Sequence, residues 1–126
     1  MSDKILVTGG CGFIGANLVQ KLESLGYSVN ILDNLSKGSL EYVDGTNAKV
    51  FIGDIRDQEI VSEALEGVSS VVHLAAYGSV VDSVINPIQN FDINVGGSLT
   101  VLNECRKLGV KKIIFSSTGG ALMGNT

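Results

Sequence analysis

Three glycines spaced three residues apart, Gly9, Gly12 and Gly15, follow the apolar run Ile5-Leu6-Val7 and precede a helical pattern. Eighteen residues beyond Gly15, a second apolar run, Val29-Asn30-Ile31-Leu32, ends on Asp33. Glycines in a strand-to-helix turn let the main chain pass close to a diphosphate, where a side chain would clash or force a disallowed φ. Gly9 would allow the turn, Gly12 the phosphate approach and Gly15 close contact between helix and sheet. A helix opening at Phe13 and Ile14 would offer unpaired N–H groups and its positive dipole end to the phosphates. At the next strand end the Asp33 carboxylate can accept both ribose hydroxyls, and its charge repels a 2′-phosphate. The pattern therefore favours NAD over NADP. Two readings stay open beside it: a Gly-rich turn that only solves a packing problem, and a mononucleotide or phosphosugar site. A Walker A loop is excluded, because no Gly-Lys-Ser/Thr closes the segment.

Further candidates fall at the ends of later apolar runs, which in an α/β sheet form the ligand edge. Asn34 and Ser36 are placed to bond the adenosine ribose, Lys37 to face the phosphates, and Gly38 to let the loop turn; all are also ordinary loop formers. Asp54 follows the run ending at Gly53 and could accept from an adenine amino group, with Ile55 against the ring; a plain turn carboxylate is the alternative. Ala75 and Ala76 leave room for a ligand to cross the sheet edge. His73, the only histidine, is embedded in Val-Val-His-Leu without a visible carboxylate or nucleophile partner, and reads as a packed strand residue.

The elements that would hold these residues alternate regularly. Strands are expected at Ile5–Thr8, Tyr27–Leu32, Lys49–Gly53, Ser70–Leu74 and Lys112–Ser116. A first helix is expected from Gly12 to Leu25, with Phe13, Ile14, Leu18, Leu22 and Leu25 at helical spacing and Gly26 as its stop. A second runs through Ile60, Val61, Ala64 and Leu65, capped by Asp57. A long third helix spans Ile88–Leu108, with Gly96-Gly97 in its middle marking a close approach to the backbone. Residues 39–48 give no firm period and fit a short helix or an irregular crossover. The fold class is α/β: a Rossmann-type parallel sheet in the order 3-2-1-4-5, with helices on both faces.

The chain has 126 residues, a hydrophobic fraction of 44% and a mean hydropathy of +0.32, which fits one domain with its own core. A net charge of −4 without a basic stripe argues against nucleic acid. No apolar stretch approaches the roughly 18 residues needed to span a bilayer, and no signal peptide is visible, so the reading is cytoplasmic. Cys11 and Cys105 lack a CxxC neighbour or a histidine at ligand spacing, so no metal site is expected.

These segments together resemble the extended short-chain dehydrogenase/reductase family, especially its NAD-dependent sugar epimerase/dehydratase branch of the UDP-glucose 4-epimerase kind. Thr8-Gly9-Gly10-Cys11-Gly12-Phe13-Ile14-Gly15 is similar to the family's TGGxGFIG turn, and Asp33-Asn34-Leu35-Ser36-Lys37-Gly38 to its acidic strand end and loop. Gly53-Asp54-Ile55-Arg56-Asp57 resembles the adenine-contacting GDIRD segment. His73-Leu74-Ala75-Ala76 resembles the HLAA segment beside the nicotinamide ribose, which adds Leu74 to the cofactor-binding set. Asn94-Val95-Gly96-Gly97-Ser98 is similar to the NVxGT motif and adds Asn94. Phe115-Ser116-Ser117-Thr118 matches the strand carrying the substrate-contacting hydroxyl, at Thr118. What the resemblance implies is NAD as cofactor and a nucleotide-sugar as substrate.

Two departures bear on activity. The family's catalytic Tyr-x-x-x-Lys pair comes after the position of Thr118, and none of Tyr27, Tyr42 and Tyr77 has lysine four residues later. Met123 stands where the family usually has tyrosine before glycine. The expected organisation is an NAD-binding domain over residues 1–118 and a residual tail over 119–126, disordered or swapped. The chain then binds NAD and turns nothing over alone, a nucleotide-sugar entering only with a C-terminal portion. The rival readings are half of a competent UDP-sugar 4-epimerase completed by another chain, and a non-catalytic dinucleotide-sensing or interaction module. Homo-oligomerisation through helix 88–108 or the strand-five edge is the expected self-contact.

Overall fold

In the computed structural model the residues described are 3–35, 38–74, 88 and 95–115. Five strands, β1 (Lys4–Thr8), β2 (Ser28–Asp33), β3 (Lys49–Ile52), β4 (Ser70–His73) and β5 (Lys112–Phe115), form one parallel sheet in the order β3-β2-β1-β4-β5. Three helices are described, α1 (Phe13–Ser24), α2 (Gln58–Ala64) and α3 (Gly97–Leu108), with a 3-10 turn at Leu40–Val43. The register sets Thr8 of β1 beside Leu32 of β2 on one side and His73 of β4 on the other. The C-terminal ends of the three central strands therefore finish level, as the expected order requires.

Strand alternation divides the core into two layers. Ile5, Val7, Val29 and Ile31 face α1 and the 3-10 turn, with Ala16, Val19 and Val43. Leu6, Leu32 and Val71 face the other way, against Val61, Ala64 and Leu65 of the α2 region and Val101 and Cys105 of α3. Each fully buried Leu, Ile or Val side chain contributes about 1.5–3 kcal/mol relative to an exposed one. Asn30 breaks the apolar pattern of β2, and its amide donates to the Ala64 carbonyl at 2.9 Å, satisfying a group at the end of α2. Lysines sit on both edge strands, Lys49 on β3 and Lys112 on β5, where exposed charge blunts edge pairing.

The stops and caps follow the expected residues. Gly26 (φ 95°) follows α1 and Gly109 (φ 74°) closes α3. The Asp57 carboxylate accepts the Glu59 N–H at the start of α2. Gly97 is the close approach foreseen in the third helix: a Cβ there would lie 2.3 Å from Ile55 Cδ1.

One expectation is corrected. The apolar spacing of α1 predicted a core face through Phe13, Ile14 and Leu25, yet these are exposed, Phe13 by 75% and Ile14 by 72%. The helix instead approaches through Gly15, Ala16 and Val19, with Leu18 and Leu22 only partly buried. Small residues thus make the close contact, while the larger side chains at the helix start stay in the open. Ile55 is the residue that the sequence reading set against an adenine ring. Its side chain turns inward, 5% exposed, and fills the space beside Gly97.

Candidate dinucleotide site

Gly9 opens the turn after β1 with φ 76°, a conformation L side chains rarely adopt. Its N–H donates to the Leu32 carbonyl at 2.8 Å, and its carbonyl accepts from Gly12 N–H at 3.1 Å. Gly15 is fixed by this loop: a Cβ there would fall 2.2 Å from the Gly9 oxygen and 2.8 Å from Gly10 Cα. The close partner is thus the turn itself, one step nearer than the sheet expected from sequence. Gly12 caps α1 with extended backbone and no side-chain bond, and no acid lies in the first turn. The leading N–H groups of α1, from Phe13 onward, so face the crevice without a competing carboxylate.

Asp33 closes the other side of this turn. It is 8% exposed; Oδ2 accepts the Cys11 N–H at 2.9 Å and Oδ1 the Leu35 N–H at 2.8 Å. A carboxylate has about four acceptor positions, so two remain for hydroxyl donors. The loop beyond is drawn onto the turn as well: Ser39 N–H donates to the Cys11 carbonyl at 3.0 Å. At Gly38 a Cβ would come within 2.4 Å of that same oxygen. Among the described residues, Leu35, with φ 64°, is the non-glycine residue that takes left-handed backbone in this return. Cys11 is fully buried between these segments, and burial, with the Asp33 charge second, pushes its thiol up to about 11.

Asp54 lies past the end of β3, half-buried, and is held by Arg56, whose Nη2 donates to Oδ2 at 2.6 Å and Nε to Oδ1 at 3.1 Å. The Arg56 side chain holds the carboxyl below the usual range. Asn34 is exposed at the end of β2, and Leu74 is half-buried against the α1-side core. His73 is 5% exposed; its Nδ1 lies 2.7 Å from Thr8 Oγ1 and its Nε2 3.1 Å from Ser98 Oγ. The Phe115 ring meets it edge-on at 5.4 Å. Burial lowers its pKa to about 4, so it is neutral, the packed strand residue the sequence reading expected.

The structure thus brings Gly9, Gly12, Phe13, Ile14, Gly15, Asp33 and Gly38 around one turn, with Asp54 and Leu74 at neighbouring strand ends. Ser36, Lys37, Ala75, Ala76, Asn94 and Thr118 lie outside the described residues. Sequence reasoning missed Thr8, Cys11 N–H, Leu35 and Ser98 as parts of the frame; a hydroxyl on the last residue of β1 in register with the histidine ending β4 was the available signal. The large open cleft, of about 810 Å³, lies at the opposite edge of the sheet among Lys4, Glu23, Asp44 and Lys49. In a parallel α/β sheet ligands take the C-terminal edge, which makes the glycine turn the candidate site. Among the described residues no cluster suits a metal ion, and no helix is long and apolar enough to cross a membrane.

Comparison with known proteins agrees with this geometry. The chain is 46% identical to the UDP-glucose 4-epimerase of Thermotoga maritima solved with UDP-glucose, with a TM-score of 0.88 over 94% of this chain and 38% of that one. The Thermus thermophilus UDP-glucose 4-epimerase, solved with NAD, gives 42% identity and a TM-score of 0.86 over 92% of this chain and 38% of that one. Among curated relatives, the UDP-glucose 4-epimerase of Neisseria meningitidis serogroup C is 43% identical over 123 residues, 91% of this chain and 36% of its own length. The chain therefore spans little more than a third of the length of these relatives. Residues 5–125 match the NAD dependent epimerase/dehydratase family, and the chain belongs to it.

Proposed function

We propose that this chain is the NAD-binding portion of a nucleotide-sugar epimerase/dehydratase-like protein and is catalytically incomplete by itself. The observation that carries the reading is the buried Asp33 carboxylate, fastened to the glycine turn through Cys11 N–H with acceptor positions to spare. Its residues fit the cofactor: Gly12 and the first turn of α1 leave the approach to a pyrophosphate clear, and Gly15 cannot carry a side chain. Asp33 would hold the adenosine ribose hydroxyls and turn away a 2′-phosphate by charge repulsion. Asn34 and Asp54, with Ser36, Lys37, Leu74, Ala75, Ala76 and Asn94, extend the set proposed to contact the dinucleotide.

When bound, NAD supplies a hydride acceptor that can return the hydride. Oxidising a sugar hydroxyl also needs a base with a lowered pKa. Within these 126 residues no tyrosine has lysine four positions later. The buried neutral His73, bonded on both ring nitrogens, is committed to its neighbours. Thr118 can exchange hydrogen bonds with a substrate but does not replace a lysine-assisted phenolate.

A second reading is supported by the outer face of α3 and the edge strand β5. Leu99, Leu102, Leu108, Ile114 and Phe115 are exposed there, which suits completion by a C-terminal portion that would carry the base and the nucleotide-sugar site. Self-association through the same face is the alternative use. Calorimetric titration with NAD and NADP tests the main reading. The expected result is micromolar or weaker NAD affinity, markedly poorer NADP binding, and loss of most binding in Asp33→Ala. Equal affinity for the two dinucleotides would reject it. Mixing with a separately made C-terminal portion and assaying UDP-sugar turnover tests the second.

A further inference from the structure

Past the end of β3 the chain reads Asp54-Ile55-Arg56-Asp57, and its side chains divide between core and rim. Ile55 is buried against Gly97 of α3, while the side chains of Arg56 and Asp54 stay 38% and 35% exposed and meet each other. Arg56 Nη2 donates to Asp54 Oδ2 at 2.6 Å, and Nε lies 3.1 Å from both carboxylate oxygens. The Arg56 main-chain N–H donates to Oδ1 at 2.8 Å. This is the forked grip of a guanidinium on a carboxylate, closed by a backbone donor. A carboxylate has about four acceptor positions, so among the described residues these three donors leave about one. The Arg56 hydrogen bond is also the main cause that holds the carboxyl below its usual range. Asp54 is thereby fixed in orientation and in charge, an acceptor with no proton to donate.

We propose that Arg56 is a specificity-determining residue: by holding Asp54 as a fixed acceptor, it makes the chain select a 6-amino purine against a 6-oxo purine. This rests on the NAD-binding reading above. The sheet order sets β3 beside β2, and the Gly53 N–H donates to the Asp33 carbonyl at 3.1 Å. With the pyrophosphate at the turn after β1 and the ribose at Asp33, the base falls at the end of β3. A hollow of about 550 Å³ opens there, lined by Asp54, Arg56, Asp57, Gly96 and Thr100. Adenine brings an amino donor at its 6-position and meets an acceptor. Hypoxanthine brings a carbonyl oxygen, which faces carboxylate lone pairs unless Asp54 takes up a proton, and the Arg56 charge opposes that proton. Asp57 is the other charged group lining the hollow, and its carboxylate accepts the Glu59 N–H. The α3 side contributes Gly96 and Thr100, both uncharged.

Two ligands that differ at one position isolate this role. Calorimetry at pH 7 with NAD and with nicotinamide hypoxanthine dinucleotide, a 6-oxo group replacing the 6-amino group, is run on the wild-type chain, Arg56→Met and Asp54→Asn. The wild-type chain is expected to prefer NAD by about tenfold or more. Methionine keeps the stem of Arg56 without charge or donors, so Asp54 takes up a proton about ten times more readily. Arg56→Met should therefore shrink the preference about tenfold, through tighter binding of the hypoxanthine ligand. Asp54→Asn should reverse it. Oδ1 must remain an oxygen to accept the Arg56 N–H, so the amide nitrogen takes the place of Oδ2 and offers the base a donor. An unchanged preference in Arg56→Met overturns the proposal, as does an equal loss of both ligands, the result a merely structural role would give. Equal binding of the two by the wild-type chain overturns it as well. Should Arg56→Met fail to fold, Arg56→Gln, equally uncharged, decides in its place. Failure of the NAD-binding reading looks different, because the wild-type chain would then bind neither ligand.

Discussion

Gly15→Ala separates the architecture of the turn from its chemistry. The added methyl would sit 2.2 Å from the Gly9 oxygen, 2.8 Å from Gly10 Cα and 3.0 Å from the Gly9 carbonyl carbon. An ordinary carbon–oxygen contact needs about 3.3 Å, so α1 and the turn must part by about 1 Å. Both are backbone, and no flexible side chain is available to yield. Overpacking a rigid site costs about 3 kcal/mol, and the helix propensity of alanine over glycine returns about 1, leaving roughly 2 kcal/mol of destabilisation. For a domain of this size the expected fall in Tm is about 8 °C. Gly12→Ala is the matched control: the nearest neighbour of its added methyl is the Gly9 oxygen at 3.4 Å and its φ is −76°, so neither contact nor backbone strains it. Its stability should change by less than about 1 kcal/mol, the loss from placing alanine at a helix N-cap. On the proposed reading its NAD affinity should nonetheless fall, because the new methyl would stand where the pyrophosphate is proposed to pass. Urea denaturation followed by circular dichroism, with NAD calorimetry on both variants, reads the two effects separately. A Gly15→Ala chain as stable as wild type would refute the packing account.

Two further outcomes follow from buried titratable groups. His73 is held near pKa 4 against 6.5 unfolded, so its stabilising effect is present above pH 6.5 and is lost as pH falls toward 4. Between pH 7.5 and 5 stability should drop by about 2 kcal/mol from this group, and His73→Phe should remove that slope. Parallel stability–pH curves for the two proteins would count against it. The Cys11 and Cys105 thiols, buried and each pushed up to about 11, should react with a disulfide reagent at pH 8 only as fast as the chain opens. Rapid labelling of either one in the folded protein would contradict this.

The sheet order was legible because each strand is a short apolar run ended by turn residues, and because parallel crossovers leave few arrangements. Gly9 and Asp33 were legible for a related reason. A left-handed turn and a carboxylate at a strand end are demands on residue type, which a sequence states directly. Gly38 was only half read. As a loop former it is unremarkable; what requires glycine is the Cys11 carbonyl 2.4 Å from its missing Cβ. That carbonyl is 27 residues away in the chain, and no local pattern announces such a contact.

The misreading of α1 has a different cause. Helical periodicity reports which side chains share a face, but it gives each apolar residue the same weight as a contact. In α1 the face that reaches the sheet is chosen by size: Gly15, Ala16 and Val19 permit the approach, and Phe13 and Ile14 are left in the open at the helix start. Their exposure is a consequence of the glycine spacing. A turn tight enough to bring N–H groups to a diphosphate draws the first turn of the helix beyond the strand ends, where the sheet has no surface left to cover large residues. The same three glycines that make the crevice therefore determine which part of the helix packs, so site and fold at this edge are one constraint, and substitution at Gly15 must disturb both.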